Sequence, residues 1–371
     1  MKVLILGASN ELGNTGYVGE LSKQGCLIRN LSIGGCGSSA GILNLIKYDF
    51  PKADCAILSY EINEQSTLQL KLRTEAEIRE NWEWLFSQLR RRNITPVLVI
   101  LPRVTKGLLW KTECRDLQRQ IAIDNDVHFF DFTDTIDKAL SFGANLPELM
   151  RDNSHMSTET SRIMGDLLHV TLKKLLDSDS TVKPEKTVLP DFHLIKAVDL
   201  VPASRQRERK TSVLESRLAV IDSDCVPVFP INDDEAITAI SLNRLAGGGN
   251  VRLGTPQKAI VKRFTFWTEK FSSHEFMSLV CDLRPFYGNT QNKVILNICD
   301  ENEPATEQTL HSVKPVTDRY GEIELEAFLV RNKEPIKESF DHLRKNDFPL
   351  DLSLSFDELT VIKELKSICI F

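Results

Sequence analysis

The sequence has no apolar run approaching the roughly 18 residues that a membrane-spanning helix needs, which excludes such a helix. It has no surplus of positive charge either, because 46 Lys and Arg stand against 52 Asp and Glu for a formal net charge of −6. No global field gathers phosphates or anionic lipid, so nucleic-acid binding and membrane-surface binding are not expected. Cysteine occurs at Cys26, Cys36, Cys55, Cys114, Cys225, Cys281, Cys299 and Cys369, never as Cys-x-x-Cys and never with His at zinc spacing. No metal site and no disulfide scaffold is expected; free thiols in a reducing cytoplasm are. The apolar run Val3 to Leu6 before Gly7 is shorter than the roughly 7–15-residue core of a secretory signal and reads as a first strand.

What is present is chain enough for about two domains, 371 residues at about 150 per domain. The first half alternates two textures. Lys2–Leu6, Cys26–Leu31, Cys55–Tyr60, Pro96–Leu101 and Val127–Phe132 are short apolar runs, as in strands buried on both faces of a parallel sheet. Between them lie helical spacings, clearest over Glu75–Arg92, where Ile78, Trp82, Leu85, Phe86 and Leu89 form one stripe, and again over Thr158–Leu176. The alternation predicts a three-layer α/β domain over 1–178. A polar linker is expected over 179–189. Beyond it Arg217–Ile221, Ala236–Leu242, Ala259–Trp267, Phe276–Leu283, Lys293–Cys299 and Glu322–Val330 are rich in β-branched or aromatic residues, with Gly247–Asn250 and Tyr287–Asn289 read as turns. These predict a mostly antiparallel, sandwich-like domain over 190–371. The cluster Arg205, Arg207, Arg209, Lys210 is interrupted by Glu208 and lacks interleaved aromatics, so it reads as a solvated segment.

In an open α/β sheet, ligands bind outside the carboxyl ends of the strands. Four loops after predicted strands hold reactive groups: Gly7-Ala8-Ser9-Asn10, Ser32-Ile33-Gly34-Gly35-Cys36-Gly37, Glu61-Ile62-Asn63-Glu64 and Asp152-Asn153-Ser154-His155. Acyl transfer to a hydroxyl needs a nucleophile, a base, a carboxylate that orients the base, and donors for the tetrahedral oxyanion. Ser9, His155 and Asp152 are candidates for the first three. The Ser9 N–H, the N–H of Gly35 or its neighbour Gly34, and the Asn63 carboxamide are candidates for the donors. Read separately, Ser9 is a helix cap, Asn63 a turn residue, and the Asp152–His155 run a surface loop. His128 and His169 read as structural.

The four blocks in this order resemble the SGNH (GDSL) hydrolases. Gly7-Ala8-Ser9-Asn10 is similar to the family's Gly-Asp-Ser block, Asn30 through Gly35 to its glycine block, Asp54 through Leu58 with Glu61–Glu64 to its strand and Gly-x-Asn-Asp, and Asp152–His155 to its Asp-x-x-His. Ala8, Glu61, Glu64 and Met156 depart from the family's usual Asp, Gly, Asp and Pro. The resemblance covers about 1–178 and implies a flavodoxin-like sheet. It further implies an esterase or O-acetyl transferase working through Ser9 on a carbohydrate-type ester, with no cofactor or metal, within polysaccharide biosynthesis. Phe264, Phe266, Trp267, Phe286 and Tyr287 of the second domain read as core aromatics, or else as a sugar platform.

Two other readings compete. Val3–Gly13 is close to the glycine turn of the short-chain dehydrogenases and epimerases, but Asn10 stands at the middle glycine, and the Tyr48/Lys52 pair is interrupted by Pro51. The other is a carbohydrate-binding or scaffold protein that has lost catalysis, against which stand the retained Ser9, Asn63, Asp152 and His155.

Overall fold

The computed structural model describes residues 1–12, 16–48, 52–177, 190–210, 215–255, 259–264, 276–287, 293–299, 303–307, 321–332 and 365. The expected linker, Phe266, Trp267, Asn289 and Cys369 lie outside the described residues. The chain divides into two compact units, one of Met1–Gln65, Glu75–Val188 and Glu338–Phe371, the other of Ser66–Thr74 and Leu189–Lys337.

The first unit runs β1 (Lys2–Gly7), α1 (Tyr17–Lys23), β2 (Leu27–Asn30), α2 (Ser38–Lys47), β3 (Cys55–Ser59), α3 (Glu61–Gln69), α4 (Glu75–Arg91), β4 (Thr95–Ile100), a small hairpin of β5 (Val104–Thr105) and β6 (Leu108–Leu109), α5 (Glu113–Asp124), β7 (His128–Asp131), α6 (Phe132–Ser141), α7 (Leu146–Leu149) and α8 (Thr158–Asp177). Its sheet is five-stranded and parallel in the order β2-β1-β3-β4-β7, the flavodoxin-like arrangement. The apolar runs earned their places by burial: Val3 to Leu6, Cys55 to Leu58 and Val97 to Ile100 are each at most 1% exposed. On α4 the predicted stripe of Ile78, Trp82, Leu85, Phe86 and Leu89 is buried throughout, each side chain contributing roughly 1.5–3 kcal/mol of transfer free energy. Leu365, far along the chain, is buried in this same core with Val3, Ile5 and Tyr17.

The strand order reverses direction at β1, whose neighbours are β2 on one side and β3 on the other. Gly7 at the end of β1 pairs with Ser59 at the end of β3. The loops leaving β1, β2 and β3 therefore emerge side by side at the switch point, where this class of sheet binds ligands.

The second unit is antiparallel: β8 (Phe192–Lys196), β9 (Gln206–Lys210), β10 (Glu215–Ile221), β11 (Val228–Pro230), β12 (Glu235–Gly254), β13 (Ala259–Phe264), β14 (Ser278–Tyr287), β15 (Lys293–Cys299) and β16 (Glu322–Asn332). The turn expected at Gly247–Asn250 is not a turn. It lies inside β12, whose first half pairs with β14 and β16 and whose last residues pair with β13 and β15. The register against β16 shifts between Leu242 and Gly247, and β12 then passes from β16, paired up to Gly248, to β13, paired from Gly249, a change of partner at a run of glycines that accommodates a bend. The segment Arg205–Lys210 is exposed at Arg207, Glu208 and Lys210, as expected of a solvated segment, and its Gln206–Lys210 part is also a strand paired with β10. Arg207 and Arg209 of β9 pair with Glu324, whose side chain is fully buried, and Glu208 pairs with Arg217. Ser66–Thr74 groups with this unit although it lies within the span expected for the first domain. Arg73 is the reason: it donates to the carbonyls of Thr238 and Leu283 and pairs with Asp282 at 3.0 Å, both side chains at most 5% exposed. Phe286 is core and Tyr287 half-buried.

Candidate active site

Ser9 follows β1 after Ala8 alone, on a 3-10 turn spanning Ser9–Glu11, and is half-buried. His155 comes from the other end of the domain, on the loop between α7 and α8. That loop is fixed at both ends. Met150 and Met156 form a bridge and are at most 6% exposed, in the core, while Arg151 N–H and Asp152 N–H donate to the His155 carbonyl at 2.8 and 3.3 Å. Val104 of the hairpin donates to the Asn153 carbonyl at 2.9 Å, and the Asn10 carboxamide donates to the Ser154 carbonyl at 2.9 Å. The Ser9 turn and the histidine loop are thus tied through the Asn10 carboxamide as well as through Ser9 and His155 themselves.

Ser9 Oγ lies 2.8 Å from His155 Nε2. His155 Nδ1 lies 2.8 and 2.9 Å from the two oxygens of Asp152. The three residues singled out in sequence meet, in the order that general-base activation of a hydroxyl requires. Partial burial opposes ionisation of Asp152, but the amides of Ser154 and His155 and the imidazole outweigh it and hold its carboxyl below the ordinary value of 3.8. A charged carboxylate can only accept, so the contact to Asp152 suits an N–H at Nδ1, which leaves Nε2 to face Ser9 as an acceptor.

The donors expected for an oxyanion come from three neighbouring loops. Gly35 takes a left-handed backbone at φ +74°, a conformation that suits glycine. Gly34 lies alongside Ser9: a Cβ there would stand 3.9 Å from Ser9 Cβ and 3.1 Å from Leu12. Asn63 sits in the first turn of α3 and is half-buried. Among the described residues its carboxamide makes no hydrogen bond, whereas that of Asn10 is committed to Ser154.

Sequence reasoning missed the carboxyls that brace these loops. Glu64 accepts from the backbone N–H of Ser38, which opens α2 just after the glycine loop, and from Trp82 and Gln118. Glu61 accepts from the hydroxyl of Thr112, the N-cap of α5. Glu11 accepts from Ala8 N–H and Tyr17 O–H. Burial pushes all three up to about 7 from an ordinary 4.5. The folded protein then holds protons that the unfolded chain has released between about pH 4.5 and 7, so these groups make stability fall as pH rises through that window. His128, held below its ordinary value of 6.5 by burial, acts in the opposite sense below that value. Thermal melts from pH 4.5 to 8 should decline more shallowly for Glu64→Gln than for the wild type, by up to about 3 kcal/mol over the window; equal slopes would refute the assignment.

A cavity of about 700 Å³ lies at the opposite, amino end of the sheet, lined by Met1, Cys26, Asp54, His169 and Lys173 among others. There Cys26 Sγ stands 3.4 Å from His169 Nδ1, and burial pushes the thiol up rather than down. The pair lacks the lowered thiol that a cysteine nucleophile needs. The seven cysteines among the described residues are free, and the described residues contain no cluster of metal ligands.

No family model and no curated protein sequence matches the chain. Among solved structures, a two-domain esterase active on acetylated mannans aligns over 90% of this chain and 91% of its own at 12% identity, TM-score 0.59, when bound to mannopentaose. Without the sugar it aligns over 92% of its own length at the same identity and score. The chain shares that two-domain fold. The first unit has the flavodoxin-like parallel sheet that the resemblance implies, and the second is antiparallel. A psychrotrophic esterase, EstA from Pseudoalteromonas sp., aligns with 48% of the chain at 18% identity and TM-score 0.37.

Proposed function

We propose that the chain is a serine-dependent esterase or O-acetyl transferase acting on a carbohydrate ester, with Ser9 as nucleophile, His155 as base and acid, and Asp152 as the carboxylate that orients it. The observation that carries this reading is the continuous pair of hydrogen bonds from Ser9 Oγ through the imidazole to Asp152. Ser9 Oγ attacks the acyl carbonyl as its proton passes to His155 Nε2. The oxyanion is met by the Ser9 N–H, by Gly35 or Gly34, and by the Asn63 carboxamide. Collapse breaks the bond to the sugar oxygen, which takes the proton from His155 and leaves as a hydroxyl, and an acetyl ester remains on Ser9. Water then makes the enzyme a hydrolase, and a second sugar hydroxyl makes it a transferase. No step calls for a metal or organic cofactor.

Carbohydrate as the substrate class is supported by the shared fold of the esterase active on acetylated mannans, and a place in polysaccharide assembly in a reducing, cytoplasmic compartment belongs to the same proposal. The test combines p-nitrophenyl acetate, a serine-directed organophosphonate and mass spectrometry of the adduct. Cleavage with label on Ser9 is the expected result; label on another residue, or no acyl chemistry at all, overturns it. Acetate released from acetylated mannan into water, as against acetyl recovered on an added oligosaccharide, separates hydrolase from transferase.

A further inference from the structure

Glu11 is fully buried, two residues beyond the nucleophile, and no step of the reaction above uses it. A carboxyl on a turn costs least when it reaches water, so its burial needs compensating partners. It has them on both oxygens: Ala8 N–H donates to Oε2 at 2.6 Å and Tyr17 O–H donates to Oε1 at 2.8 Å. The Glu11 main chain is held too. Its carbonyl accepts from the Asn30 carboxamide at 2.6 Å, and the oxygen of that carboxamide accepts from Ser32 N–H, on the way into the glycine loop. The space it fills is reserved for it, since a Cβ on Gly7 would stand 2.6 Å from Glu11 Oε2.

We propose that Glu11 is the positioning residue of the nucleophile, its carboxyl bridging the residue before Ser9 to Tyr17 on α1 and so fixing Ser9 within reach of His155. This rests on the reading of Ser9 as nucleophile. The bridge needs reach rather than charge. A protonated carboxyl, or a carboxamide, can still accept from Ala8 N–H through one atom and donate to the Tyr17 oxygen through the other. An aspartate, one methylene shorter, spans only one of the two partners. Burial, which pushes the group up to about 7, fits a role that tolerates either ionisation state.

Three variants test this, with phosphonate labelling and p-nitrophenyl acetate turnover measured well below each variant's own melting temperature. Glu11→Gln keeps the length and is expected to stay within about threefold of wild type. Glu11→Asp keeps the charge and is expected to lower kcat and the labelling rate about 10- to 100-fold at an unchanged KM, the cost of a nucleophile displaced by a fraction of an ångström. Glu11→Asp at the wild-type rate, or Glu11→Gln as slow as Glu11→Asp, overturns the bridge. Should Glu11→Asp fail to fold, Tyr17→Phe decides, with a loss of about threefold or more supporting the proposal and the wild-type rate overturning it. Wild-type protein that takes no label on Ser9 overturns the nucleophile reading and this proposal together, whereas label on Ser9 with unaffected variants overturns this proposal alone.

Discussion

Ser9→Ala is expected to lower kcat for acetyl-ester cleavage on the order of 10⁴-fold or more, because it removes the atom on which the proposed mechanism carries the acyl group. What remains is the contribution of the oxyanion donors and of substrate binding to attack by water. KM should change little, since Ser9 Oγ binds no part of the substrate that its loss would release. Stability should hold or rise slightly: Ser9 is half-buried, and its side-chain partner is His155 on a partly exposed loop. Active-site polar groups are kept for chemistry rather than for folding. Calorimetry beside steady-state kinetics would check both halves, and full turnover by the alanine variant would end the assignment.

The placement of Ser9 and His155 was legible in sequence because Ser9 sits where a strong strand signal stops and His155 just before a strong helical signal starts. Val3 to Leu6 is too apolar to be anything but a buried strand, and the residue after it must emerge at a sheet end. The same logic located Asn63 after the run Cys55–Leu58. Asp152 and His155 were legible as a pair because three residues is the span of one turn, in which a carboxylate can accept from two successive amides and the ring at once. Glu11 was not legible, because a glutamate on a glycine-rich turn reads as solvated. The available signal was positional: a Glu at the third residue of a turn can reach back to the amide that opens it, here Ala8. In the second unit, Gly247–Gly249 misled for a related reason. Glycine runs signal turns, yet between two sheets the same freedom serves a strand that bends while it stays paired. The excursion of Ser66–Thr74 escaped because its cause, the Arg73 hydrogen bonds, spans more than 160 residues of sequence.

Asn63→Ala carries the second large effect, a fall in kcat of about 10²- to 10³-fold with KM nearly unchanged. An oxyanion donor meets a charge that exists only in the transition state, so its loss leaves ground-state binding intact. Two carboxamides, Asn10 and Asn63, lie on loops that leave the neighbouring strands β1 and β3, and their partners separate them. Asn10 spends its amide on the Ser154 carbonyl, so Asn10→Ala loosens the histidine loop instead of removing a free donor. Asn63 spends its backbone N–H on the Tyr60 carbonyl at 3.1 Å, inside the first turn of α3, and among the described residues its side chain is uncommitted. A half-buried carboxamide without a partner gains nothing in stability where it stands, so the alanine variant should melt within about 0.5 kcal/mol of wild type. Asn63→Asp should be worse than Asn63→Ala, because a carboxylate faces the developing oxyanion with like charge instead of a donor. An alanine variant with unchanged kcat would leave the backbone N–H groups of Ser9 and of Gly35 or Gly34 to hold the oxyanion without help from α3.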